Sequence, residues 1–159
     1  MGQRTITIGD EIFLKTVIFD FNRTLYNPDK EELENYATQM LDYLKSKGYQ
    51  LILYGKGDEK RQNLISELGI ENYFKEILLL DEKSLETFQK LVKRNNISVP
   101  ESYSIGDRIK KEIIISNQAG FKTIWLKKGK FATEIPEKKE EKPTYTITTL
   151  KEIQKIIST

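Results

Sequence analysis

Val17-Ile18-Phe19-Asp20-Phe21-Asn22-Arg23-Thr24-Leu25-Tyr26 is the stretch on which the reading of this chain turns. The apolar run from Thr16 to Phe21 reads as a buried strand that ends where polar residues begin, with an aspartate at its carboxyl end. Downstream, short apolar runs alternate with amphipathic stretches, the signature of an α/β domain with a parallel sheet. Further strands are expected at Leu51–Tyr54, Glu76–Leu80, Ser102–Ile105, Lys122–Leu126 and Thr144–Thr148. Asn27-Pro28 reads as a helix start, asparagine capping and proline at the first helical position. Leu33, Tyr36, Ala37, Met40, Leu41 and Leu44 follow at helical spacing, and Gly48 closes that helix. Other helices are expected around Leu64–Leu68, Leu85–Val92, Ile109–Ala119 and Leu150–Ile157.

The chain reads as one domain over residues 1–159. Residues 1–14 suggest an N-terminal hairpin, with Thr5–Ile8 and Ile12–Leu14 flanking Gly9-Asp10. The Lys- and Glu-rich segment 127–143 reads as a solvated charged loop, and 144–159 as a terminal strand and helix.

Composition removes whole classes of chemistry. There is no cysteine and no histidine, so thiolate nucleophiles, Ser-His-Asp triads and imidazole metal clusters are excluded. Catalysis would have to use carboxylates, lysine, hydroxyls, backbone dipoles or a hard metal. The 26 basic and 24 acidic residues leave a formal charge of +2, which gives no specific signal for nucleic acid. No apolar run suits a membrane span and no secretory leader is evident, so the expected location is cytoplasmic, with no membrane partner.

Open parallel sheets place ligand sites at the carboxyl ends of their strands. Asp20, Gly55, Lys83 and Gly106-Asp107 all fall there. Two carboxylates and a lysine at neighbouring strand ends suit a divalent cation and a phosphate.

These residues resemble the motifs of the haloacid dehalogenase (HAD)-like hydrolase superfamily. Val17 to Tyr26 is similar to motif one, D-x-D-x-T-L after an apolar strand. Leu51-Ile52-Leu53-Tyr54-Gly55-Lys56-Gly57 resembles motif two, Lys83 the motif-three lysine, and Gly106-Asp107 through Glu112 motif four. The resemblance covers Thr16 to Ile157. It implies a Rossmannoid three-layer sandwich with a central parallel sheet. With no room for an insertion after Thr24 or between Leu80 and Lys83, no cap domain is expected.

The resemblance also implies roles. Asp20 would attack phosphorus and ligate magnesium (Mg2+), Lys83 would hold Asp20 ionised, and Asp107 would be a second metal ligand. Glu112 would hold the metal directly or through water, although a solvated helix face beside Lys110 and Lys111 is the competing reading. Asn22 stands where the family's phosphatases carry a second Asp, the general acid and base. Its backbone carbonyl would still serve the metal, but its amide cannot shuttle a proton. Gly55 stands where a Ser or Thr usually holds a phosphoryl oxygen. The N–H groups of Gly55, Lys56 and Gly57, with Lys83, are the expected phosphate-binding replacement.

The function implied is a magnesium-dependent phosphohydrolase or phosphotransferase impaired or altered by Asn22. Its substrate would be phosphorylated and, the site being uncapped, macromolecular or extended, or else a homo-oligomer would supply the lid. The alternative is a non-catalytic module that binds phosphate, metal or a partner. Dehalogenase chemistry and a receiver-like phospho-acceptor are weaker fits. Arg23 and Arg108 are candidates for anion contacts, and Trp125 reads as core.

Overall fold

The computed structural model describes residues 5–8 and 11–158. Strands β1 (Thr5–Ile8) and β2 (Glu11–Leu14) pair antiparallel as expected of a hairpin, and the Gly9-Asp10 turn lies outside the described residues. β3 (Thr16–Phe19) is buried along its whole length, because both of its faces are covered.

The first departure from expectation follows at once. Asn27-Pro28 does not start a helix. Asn27 Oδ1 instead accepts the backbone N–H groups of Asp29 (2.9 Å) and Lys30 (3.1 Å), closing a turn between β4 (Tyr26–Asn27) and β5 (Glu32–Leu33). An Asn before Pro serves a turn as readily as a helix cap, and here the left-handed φ of 53° at Glu31 and the pairing of Leu33 with Tyr26 make it a turn. Leu33 therefore lies in β5, and Tyr36 has a left-handed φ of 68° ahead of helix α1 (Ala37–Ser46). The remaining apolar stripe, Ala37, Met40, Leu41 and Leu44, is buried as its spacing predicts.

The chain then alternates regularly through β6 (Gln50–Lys56), α2 (Glu59–Glu67), β7 (Glu76–Leu80), α3 (Leu85–Arg94) and β8 (Tyr103–Gly106). The helix expected at Ile109–Ala119 begins as a π-helical turn over Ile109–Ile113, with Ile113 N–H donating to Arg108 O at 3.2 Å, before continuing as α4 (Ile114–Gln118). β9 (Lys122–Leu126), β10 (Tyr145–Ile147) and α5 (Ile153–Ile156) complete the order.

The main sheet is parallel throughout, in the order β10-β9-β8-β3-β6-β7. Alternate residues of the central strands feed two cores. Val17, Phe19, Leu51 and Leu53 pack with Met40, Leu41, Ile65 and Ile153, while Ile18, Ile52 and Tyr54 pack with Phe88, Leu91 and Phe121. The result is a three-layer α/β sandwich. Because β3 has β6 on one side and β8 on the other, the chain winds away from it in both directions. That leaves a crevice at its carboxyl end.

The 127–143 segment is not a freely solvated loop. Glu141 is only 4% exposed and accepts from Lys110 Nζ at 2.8 Å and from the Glu137 N–H at 2.8 Å. The Lys110 ammonium, with those backbone donors, holds the Glu141 carboxyl down to about 2. Alternating charges look self-sufficient in sequence, but the cation that anchors Glu141 comes from the π turn.

Among the described residues no helix is long and apolar enough to cross a membrane.

Candidate active site

The crevice at the end of β3 is a cleft of about 390 Å³. Asp20 follows β3 directly, and its N–H donates to Ile105 O of β8 at 3.0 Å, fixing the turn that aims the carboxylate into the cleft. Lys83 immediately precedes Ser84, whose side chain caps α3 in a reciprocal pair with Thr87. That cap fixes where the helix begins and so where Lys83 emerges. Asp107 follows β8, and its carbonyl accepts Trp125 Nε1 at 2.9 Å.

The π turn then brings Glu112 back over Gly106. A Cβ on Gly106 would lie 2.7 Å from Glu112 Cβ, so the approach requires glycine. Glu112 is therefore not a solvated helix residue. Lys83 Nζ donates to Asp20 Oδ1 at 2.9 Å and to Glu112 Oε1 at 2.7 Å. Glu112 Oε2 accepts the Arg108 N–H at 3.1 Å, and Thr24 Oγ1 makes a long 3.4 Å contact with Asp20 Oδ2.

Three carboxylates thus share one small volume. Asp20, Asp107 and Glu112 each offer an oxygen within 4.8 Å of the others. Burial, reinforced by Asp20 and Glu112, pushes the Asp107 carboxyl well above its ordinary value. Burial and Asp20 also raise Glu112, against the pull of Lys83. Burial alone would lower the Lys83 ammonium, but Asp20 and Glu112 outweigh it and raise it. Asp107 Oδ2 is buried with no hydrogen-bond partner. A buried carboxylate oxygen facing two further acids is poorly satisfied by protein alone.

Asn22 and Arg23 line the same cleft, as do Lys56 and Gly57 at the end of β6 and Arg108 and Lys111 after β8. Asn22 Oδ1 is buried without a partner. Gly55 is placed differently. It packs beside Leu53, Leu79 and Phe21, where a Cβ would make ordinary contacts of 3.4–3.7 Å, and the Gly57 N–H is already bonded to Leu80 O at 3.0 Å.

The chain is similar to several known proteins. The family model described as HAD-hydrolase-like matches residues 84–153. Glyceraldehyde 3-phosphate phosphatase of Pyrococcus furiosus is 28% identical over 127 residues, which are 76% of this chain and 52% of that protein. Its counterpart in Methanocaldococcus jannaschii is 28% identical over 128 residues, 77% of this chain and 55% of that protein. The chain therefore spans about half the length of these curated relatives. A HAD-hydrolase from Bacillus subtilis, solved bound to magnesium, superposes with a TM-score of 0.77 at 16% identity, covering 92% of this chain and 100% of that one. A HAD phosphatase from Thermococcus onnurineus gives 0.75 at 14% identity, covering 91% and 98%. The chain is thus similar to HAD-like hydrolases over residues 84–153 and shares the fold of solved members of that group.

Several residues at the site carried no sequence signal of their own. Trp125 is core, yet its indole N–H also holds the backbone beside Asp107. Phe131 and Glu134 come from the charged loop. Phe131 lines the cleft with the Arg108 guanidinium 3.9 Å from its ring centre, and Glu134 pairs with Arg108 at 3.2 Å and accepts the Ile109 N–H at 2.8 Å. Arg61 also lines the cleft. Its place in the first turn of an amphipathic helix was the only hint, and it is a weak one.

Proposed function

We propose that this HAD-like chain is a magnesium-dependent phosphotransferase of phosphatase type that accepts a phosphoryl group on Asp20 and releases it slowly. The observation that carries this reading is the cluster of Asp20, Lys83, Asp107 and Glu112, with a buried Asp107 oxygen left without a partner. Hard carboxylate oxygens at this spacing fit magnesium, which takes one or two protein carboxylates and keeps several waters. Asp20 and Asp107 would hold it with the Asn22 carbonyl. Glu112, with both oxygens engaged, suits contact through water. Bound there, the cation would neutralise charge on the acids and on the phosphoryl oxygens.

The chain's own groups define the steps. Lys83 holds Asp20 Oδ1, leaving Oδ2, with only the long Thr24 contact, as the less engaged oxygen for attack on phosphorus. An Asp20 O–P bond forms as the bond to the leaving oxygen breaks. The leaving oxygen needs a proton that the Asn22 amide cannot supply, so aryl and acyl phosphates, whose leaving groups depart as anions, are favoured donors. Lys56, Arg108 and Lys111 at the walls attract a phosphorylated substrate. The relatives named for a phosphate monoester support the same class. Only the short β4–β5 hairpin and α1 lie between Asp20 and β6, so the open cleft suits an extended or macromolecular phosphorylated substrate, or a second copy of the chain as cover.

The test is direct. After incubation with magnesium and acetyl phosphate, intact-mass and peptide spectrometry are expected to show one phosphoryl group on Asp20, absent in Asp20→Asn. The unpartnered Asn22 amide favours one competing reading, a binding module without chemistry, and an unmodified Asp20 would establish it.

Metal binding has a pH signature. Asp107 and Glu112 keep protons to higher pH in the metal-free fold than in the unfolded chain. Their contribution is therefore complete below the ordinary carboxylate range and is lost as pH rises through the raised values. A divalent cation opposes that loss. Adding about 10 mM magnesium is expected to raise Tm more at about pH 8.5 than at about pH 5.5. An equal shift at both pH values would place the cation elsewhere.

A further inference from the structure

The cations of the cleft are not equivalent. Lys83 is engaged by Asp20 and Glu112, Arg23 by Asp29 and Arg108 by Glu134. Lys56 and Arg61 have no carboxylate partner among the described residues, yet both face the cleft.

Arg61 is held in place without being neutralised. Its stem crosses Gly57 so closely that a Cβ there would lie 2.6 Å from Arg61 Cβ and 2.8 Å from Cγ. Its guanidinium lies 5.0 Å from the centre of the Phe21 ring, the residue between Asp20 and Asn22. Glycine at 57 and an aromatic ring at 21 thus fix an arginine fork beside the nucleophile, with its hydrogen-bonding groups unclaimed by any acid. Beyond it the cleft continues into a lobe of about 310 Å³ that shares Lys56, Gly57, Arg61 and Asp81 with the main site and is bordered also by Lys60. Asp58, which borders the same lobe, accepts the Lys60 N–H at 3.0 Å as the cap of α2. The negative charge there is thus partly occupied by the helix terminus.

The geometry points to a second anion subsite at Arg61 and Lys56. The preferred substrate carries, besides the phosphoryl group that reaches Asp20, a carboxylate or second phosphate a few ångströms along the molecule. This rests on the phosphoryl site at Asp20 and specifies its substrate class. A planar fork held on an aromatic face recognises a carboxylate or phosphate through paired charge-assisted hydrogen bonds, which a lysine alone does not offer.

Calorimetric titration of the magnesium-loaded protein tests it without requiring turnover. The probes are 3-phosphonopropionate and 4-phosphonobutyrate, each set against the alkylphosphonate of the same chain length. At least one of the acids is expected to bind roughly tenfold more tightly than its alkyl counterpart, and Arg61→Gln to bring the two within about twofold. If the alkylphosphonates bind but neither acid binds better, the subsite is overturned while the phosphoryl site stands. If the preference survives in Arg61→Gln, Arg61 does not make it and the assignment is overturned. If no phosphonate binds at all, the phosphoryl site itself fails, and the subsite with it.

Discussion

Replacing Asn22 by aspartate is expected to raise phosphatase turnover by about 10²–10⁴-fold, the usual contribution of a positioned general acid and base. The substitution is nearly isosteric and falls on a side chain that already lines the cleft. Its Oδ1 is buried and unpartnered and its Nδ2 donates to no group among the described residues, so no hydrogen bond of the present fold is lost. What changes is the ability to give and take a proton. In the proposed reaction, an amide at this position would leave both halves unassisted, namely departure of the leaving oxygen and attack of water on a phosphoryl group at Asp20. The two halves separate by substrate. If the carboxylate assists departure, the gain is larger for an alkyl phosphate than for an aryl phosphate, whose leaving group needs little help. If it acts only on the second half, the gain is the same for both, and the Asp20 adduct expected in the parent disappears. Steady-state rates with both substrates, together with adduct lifetime by quenched mass spectrometry, read these outcomes. Equal rates and equal lifetimes in parent and Asn22→Asp would mean that residue 22 has no access to the reacting oxygens.

How much of this was legible beforehand depended on whether the decisive interaction was local. The strand leading to Asp20 and the strand at Leu51–Tyr54 declare themselves because sheet burial is written into consecutive residues. The residues that meet around Asp20 were found through order along the chain, since strand ends converge in a parallel sheet. Asn27-Pro28 misled because the bonds from the Asp29 and Lys30 N–H groups to Asn27 Oδ1 serve a turn and a helix cap alike, and only the left-handed Glu31 and the pairing of β5 back onto β4 distinguish them. Glu112 was ambiguous for a different reason. On a regular helix its neighbours suggest solvent, and the π turn that rotates it toward Lys83 has no mark in composition. The glycine that admits it, Gly106, was visible, but its reason lies six residues away. Glu134, Glu141 and Phe131 were hidden in a segment whose alternating charges looked self-contained. Their partners Lys110 and Arg108 are contributed by the π-turn region, which sequence spacing alone does not bring near.

Lys83→Met is expected to destabilise the metal-free protein by on the order of 3 kcal/mol near pH 8, because it removes the cation of a buried pair and leaves its partners charged. The Lys83, Asp20 and Glu112 side chains are only 8%, 8% and 11% exposed, so water cannot replace the ammonium. Methionine keeps most of the stem volume, which confines the change to charge and hydrogen bonding. The sign with pH follows from the acids left behind. Without Lys83, Glu112 loses the cation that pulls its carboxyl down, and burial raises it further above its unfolded value. The variant fold therefore binds protons that the unfolded chain has released, and its deficit shrinks as pH falls toward about 5. Urea melts of parent and variant at about pH 5 and about pH 8 measure the difference directly. A deficit that is the same at both would show that the lysine acts through packing of its stem rather than its charge. Magnesium supplies the discriminating third measurement. If Asp20, Asp107 and Glu112 are the acids it neutralises, it should recover more stability in Lys83→Met at pH 8 than in the parent. The uncompensated charge is greater in the variant, and the same oxygens carry it.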